Sequence, residues 1–165
     1  MGQVQAVTRS AYYAVLALPV AFAPTGVRAR VTRRNLRVPF ALNSPGWFRT
    51  VAHSALAAAI GLVAWFAVFL ALVAAVRGIA YPLVAAGDYE HSWGGPTLAG
   101  AWAVHFLLGV GLLPLWVLLL AGIGVLQRQL ARRLLARTGP WWPIPLAALA
   151  FVAAIAFFIA WLHQI

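Results

Sequence analysis

VAHSALAAAIGLVAWFAVFLALVAAV, residues 51–76, runs for 26 positions without a formally charged side chain. As an α-helix rising about 1.5 Å per residue it reaches about 39 Å, enough to cross a hydrocarbon core of ~30 Å with some tilt. The arginines around it supply direction. Arg28, Arg30, Arg33, Arg34, Arg37 and Arg49 precede this run, and Arg128, Arg132, Arg133 and Arg137 follow a second apolar run from about Thr97 to Leu126. Because cytoplasmic loops are enriched in basic residues, both clusters are expected in the cytoplasm and the connector from Arg77 to Pro96 outside. A third apolar stretch, Leu146 to Leu162, has 17 residues, the short end of the spanning range, and carries the C-terminus to the outside.

Composition agrees. A chain of 165 residues that is 64% hydrophobic and 8% charged, with mean hydropathy +0.91, has too little polar surface to coat a soluble globule. The net charge of +10 would suit nucleic acid only if the basic residues shared a water-exposed face, whereas here they flank bilayer-length runs. The expected partners are therefore a bilayer containing anionic lipids and a membrane or cytoplasmic protein in a homo- or hetero-oligomer, with no nucleic acid. The absence of cysteine removes disulfides, thiolate metal sites and cysteine nucleophiles together.

The expected fold is all-α, a polytopic transmembrane helical bundle in three parts: residues 1–50, with an apolar segment (10–27) and a basic cytoplasmic segment (28–49); a helical hairpin with its outer connector and basic exit (51–137); and a C-terminal transmembrane helix (138–165). Pro114 is expected to kink the second span. Trp47, Phe48, Trp141 and Trp142 fall at the inner boundary and Tyr81, Trp93 and Trp161 near the outer one, as interfacial aromatics do. Ser10 to Val27 is uncharged for 18 residues but holds Pro19 and Pro24. It reads as a fourth crossing helix, a broken or interfacial helix, or a secretory signal with an Ala21-Phe22-Ala23 cleavage site, the last opposed by Pro24.

The outer connector contains Asp88 and Glu90, the only acids in the chain, with His91 and Trp93 beside a Gly94-Gly95-Pro96 turn. Carboxylates, an imidazole and an indole suit a cationic ligand or a pH signal, and equally describe a solvated turn anchored by an indole. His105 lies inside the second span, where an ionisable side chain is a candidate site. Ala101 and Gly109 share its face, so it also reads as a packing seam in which His105 bonds across helices. An outer trio of His91, His105 and His163 would be needed for haem or zinc, but no histidine spacing matches a ligand motif, so neither cofactor nor metal is expected. Arg77 is expected to snorkel to lipid phosphate or pair with Asp88 or Glu90. Ala57, Gly61, Ala101, Gly109, Gly111, Gly122 and Gly124 are expected at close helix contacts. The arginines at 28, 30, 33, 34, 37, 128, 132, 133 and 137 are expected to touch lipid or a partner.

The run Ser92-Trp93-Gly94-Gly95-Pro96-Thr97-Leu98-Ala99-Gly100-Ala101-Trp102-Ala103-Val104-His105, with the exit Leu130-Ala131-Arg132-Arg133-Leu134-Leu135, resembles the sensor domain of actinobacterial membrane proteins. The stretch Tyr12 to Pro19 is similar to that family's apolar opening, and Trp47-Phe48-Arg49-Thr50 to the start of its second helical pair. The resemblance covers about residues 10 to 137 and implies signal transduction, since such domains often precede a histidine kinase. The chain departs from the pattern by reducing the first hairpin to a proline-broken segment. After the basic exit comes another apolar segment, with no phosphoacceptor region or ATP-binding domain.

The leading expectation is a non-catalytic membrane protein of the sensor type, sensing an envelope or small-molecule signal at the connector. The alternative is a structural or accessory subunit of a transporter or respiratory assembly, and a haem- or metal-bearing electron carrier is a third class. Enzymatic activity is not expected, because two acids and serines without a histidine–acid companion supply no catalytic set.

Overall fold

The computed structural model describes residues 2–37, 39–85, 87 and 89–163. Among these there is no strand, and the helices are α1 (Gln3–Val20), α2 (Thr25–Leu36), α3 (Trp47–Val84), α4 (Leu98–Phe106), α5 (Leu113–Leu134) and α6 (Pro143–Leu162). Among the described residues three helical stretches are long and apolar enough to cross a membrane: Trp47–Val84, Leu98–Leu134 and Pro143–Leu162. The all-α helical bundle with three candidate spans is thus as the charge-free runs predict.

Each span is longer than its apolar run. α3 continues past Val76 and takes Pro82 into its last turn. The basic exit of the second span is helical to Leu134, so Arg128, Arg132 and Arg133 continue α5 instead of entering a loop. Between α4 and α5, Leu107–Gly111 forms one wider π-helical turn, and Pro114 stands second in α5. A proline lacks the N–H that would bond the carbonyl four residues earlier and crowds that carbonyl. The irregularity therefore falls in the turn before Pro114. α6 opens with Pro143, where a missing N–H costs nothing because first-turn donors are unbonded anyway.

The segment 10–27 is not one helix. α1 ends at Val20 with Pro19 in its last turn, a turn follows, and Pro24 precedes α2. α1 is not among the helices long and apolar enough to cross.

The chain groups into two compact units, one of Met1–Trp65 with Leu118–Ile165 and one of Phe66–Val117. In the first unit, Arg49 Nη1 donates to the Arg133 carbonyl (3.4 Å) and Gln127 Nε2 to the Ala57 carbonyl (2.9 Å), so α3 and α5 run antiparallel there. Ile60 packs with Leu126, Leu130 and Leu134, and Ala147 of α6 joins the same cluster. A second cluster joins Ala29 of α2 to Phe40, Ala131, Leu135 and Ala136.

Gly61 and Gly124 lie at one level of the α3–α5 pair, set by the Ala57–Gln127 contact. α1 meets the pair at both: the Ser10 carbonyl lies against Gly124, and Leu18 lies against Gly61. Eight helical residues advance about 12 Å, little more than the 8–10 Å between packed helix axes, so α1 crosses the pair steeply instead of running alongside it. Trp65 Nε1 donates to the Val15 carbonyl (3.2 Å) and ties the crossing down.

Candidate functional site

In the second unit the connector is anchored through Tyr81. Its hydroxyl donates to Ser92 Oγ (2.6 Å), Ser92 Oγ donates to the Tyr89 carbonyl (2.8 Å), and its ring stacks on His105 with centroids 3.9 Å apart and planes 18° from parallel. The Thr97 side chain caps α4 by accepting from the Gly100 N–H (3.1 Å), and the Gly95–Pro96 peptide is cis. One buried tyrosine of α3 therefore holds both the connector and α4.

His105 differs from its expected bonding. Its Nδ1 donates to the Ala101 carbonyl of its own helix (2.8 Å), and its link to the neighbouring helix is the aromatic stack. The small residues around it do admit a close backbone: Gly78 lies against the His105 carbonyl, Gly109 against the Ala74 carbonyl, and Trp102 Nε1 donates to the Gly78 carbonyl (3.1 Å).

Of the connector residues singled out by chemistry, Glu90, His91 and Trp93 are exposed, and Asp88 lies outside the described residues. Among the described residues the structure brings Ser92, Tyr81 and His105 together, and Glu90, His91 and Trp93 do not join them. Only the place of Tyr81 near the outer end of a span, and of Ser92 at the start of the run 92–105, points to them in the sequence. No group of three or more histidine, aspartate or glutamate side chains that would hold a metal occurs among the described residues.

The first unit holds a polar cluster at its arginine-bearing end. Arg28 is 5% exposed; its Nε donates to the Ala23 carbonyl (2.6 Å) and its Nη1 to His53 Nδ1 (3.1 Å). Burial lowers its pKa from the ordinary arginine value, though a guanidinium stays protonated in proteins. Thr32, one turn along α2, donates to the Arg28 carbonyl (2.9 Å), which leaves Tyr13 as the donor in its 2.8 Å bond to Thr32 Oγ1. Arg128 of α5 lies within electrostatic range of the Tyr13 phenol, and its buried Nε makes no hydrogen bond among the described residues.

The arginines expected at the surface therefore divide. Arg30, Arg33, Arg34, Arg37, Arg132 and Arg137 are exposed, as is Arg77; Arg128 and Arg133 are half-buried; Arg28 is interior. The small residues divide as well. Ala57, Gly61, Ala101, Gly109 and Gly124 lie at close contacts, whereas Gly122 faces open space and Gly111 meets only Leu107 of its own stretch. Two residues apart on a helix point about 200° from each other, so Gly122 and Gly124 cannot both face one neighbour. A cavity of about 380 Å³ between Phe40, Leu42, Asn43, Arg132 and Thr138 offers one cation but no nucleophile–base pair.

No family model matches the chain, and neither a curated protein nor a solved structure does.

Proposed function

We propose that the chain is a non-catalytic, multi-pass cell-membrane protein of the sensor type, with its connector outside and its arginine-rich segments in the cytoplasm against a partner. The C-terminus then lies outside. The supporting observation is the Tyr81 junction: one side chain contacts the connector through Ser92 and the second span through His105. A signal that moves residues 89–97 acts on both spans at once, and helices shift as stiff units between discrete packings. The resemblance of residues 92–105 to a bacterial sensor domain points the same way.

Because the chain has no cysteine, single-cysteine variants report cleanly. A membrane-impermeant maleimide should label His91→Cys in intact cells and Thr138→Cys only after permeabilisation. A photocrosslinker on Thr138→Cys should then capture a neighbour, and replacing Asp88, Glu90 and His91 together by Asn, Gln and Ala should change that capture without changing insertion. An unchanged crosslink in a correctly inserted variant overturns the sensor reading.

A structural subunit is the second reading. α6 buries Pro143 and Ala147 near its start and leaves Leu149, Val152 and Ile155 exposed, an apolar face that a neighbouring chain or lipid covers equally well. A stable hetero-complex in the native mass of the detergent extract would favour this reading.

A further inference from the structure

We propose that the first unit binds one phosphoryl group, of the kind an anionic phospholipid headgroup carries, at Arg128, which supplies the hydrogen bonds beside the buried Tyr13, Thr32 and Arg28. Charge balance is the first argument. Seven arginines occur in residues 1–65 and four in 118–165, and both acids of the chain, Asp88 and Glu90, fall in residues 66–117. The first unit therefore holds eleven guanidinium groups and no acidic side chain. Buried cations are ordinarily matched by an anion, because removing them from water is costly. Arg28, nearly fully buried, donates instead to a carbonyl and an imidazole, both neutral.

The second argument is the unmatched donor. Buried N–H groups in folded proteins are almost always paired, and an orphan marks a missing water or ion. Arg128 Nε is such an orphan, one turn along α5 from Gly124, where the Ser10 carbonyl of α1 lies one turn from Tyr13. A phosphoryl oxygen accepts from guanidinium N–H groups in parallel pairs, the geometry arginine supplies best.

Position is the third. Arg128 follows Gln127, which bonds Ala57, and the apolar run of α6 packs at Ala147 against Ile60 and Leu126 close to that level. The cluster thus lies where the apolar helices give way to arginine, the depth at which lipid phosphates stand.

The full chain, extracted in a maltoside detergent, is titrated with phosphatidylglycerol or phosphatidylcholine and read by native mass spectrometry. One phosphatidylglycerol should be retained at saturation, preferred over phosphatidylcholine by about tenfold or more, because the choline ammonium cancels the charge of the same phosphodiester and is repelled by the surrounding guanidinium groups. Arg128→Gln should lose that preference, Arg128→Lys should keep part of it, and Arg30→Gln on the exposed face of α2 should match wild type. Displacement of the lipid by inorganic phosphate would support the same site and assign free phosphate as an occupant; no displacement would assign the headgroup alone. Equal retention of the two lipids by wild type, uptake without saturation at one, or an Arg128→Gln variant that binds like wild type overturns the proposal. The wild-type titration decides even where a variant fails to fold.

Discussion

Arg28 Nη1 donates to His53 Nδ1 across 3.1 Å and fastens α2 to α3 inside the first unit. Arginine has no acceptor, so Nδ1 must present its lone pair and the ring proton sits on Nε2. The bond therefore fixes one tautomer of a buried imidazole near the arginine-bearing end of a candidate span. It also explains why Arg28, alone among the arginines of α2, turns inward: Thr32 and Tyr13 satisfy the backbone and hydroxyl groups buried with it.

Replacing His53 by Ala leaves a buried guanidinium N–H without its acceptor. That loss should destabilise the first unit by about 2–3 kcal/mol, the usual penalty for orphaning a hydrogen bond to a charged group. His53→Asn, whose side-chain oxygen is attached to Cγ as Nδ1 is and accepts from nearly the same place, should recover at least half of it. Thermal midpoints of the three proteins in one detergent test this; equal midpoints for wild type and His53→Ala would mean that the bond contributes nothing.

The α1 crossing makes a second, sharper contrast. A methyl group at Gly124 would meet the Ser10 carbonyl, whereas one at Gly122 would meet nothing within 4 Å. Gly122→Ala should therefore stabilise by up to about 1 kcal/mol through helix propensity. Gly124→Ala carries the same propensity gain but must push α1 off the α3–α5 pair, and should lower the midpoint and expose Arg9 to trypsin. Opposite signs for two identical substitutions two residues apart would be hard to obtain from any other orientation of α5.

These two sites show what the sequence reveals and what it hides. The three spans are legible because length and absence of charge are one-dimensional properties: residues 51–76 announce a span whatever they touch. The break at Pro19 and Pro24 is legible only as one of the alternatives, since a proline can kink a crossing helix as well as end it. The polar cluster is not, because Arg28 looks like Arg30 or Arg33 until α2 is docked, and its partners are 25 residues away at His53 and, through Thr32, at Tyr13. The one available signal was His53 itself, an ionisable side chain within a candidate span. In the connector, chemical character drew attention to Glu90, His91 and Trp93, yet the side chains that hold it are Ser92 and Tyr81, which are plain by composition and matter only through geometry.

Tyr81 joins its neighbours by two separable interactions, so its variants should dissect the junction. Tyr81→Phe removes the hydroxyl bond to Ser92 and leaves the ring on His105, at a cost of about 0.5–1.5 kcal/mol. Amide exchange should accelerate across residues 89–97 while the amides of α4 stay protected. Tyr81→Ala also removes the stack and opens a cavity between α3 and α4, which should cost about 3–5 kcal/mol in all and speed exchange in α4 as well. Ser92→Ala should reproduce the Tyr81→Phe pattern, because it deletes the other end of the same hydrogen bond, and in the double variant the two effects should fall well short of additive. If Tyr81→Phe instead loosened α4 as much as the connector, the hydroxyl and the ring would not act on separate partners. The Tyr81 junction would then have to be treated as one indivisible contact.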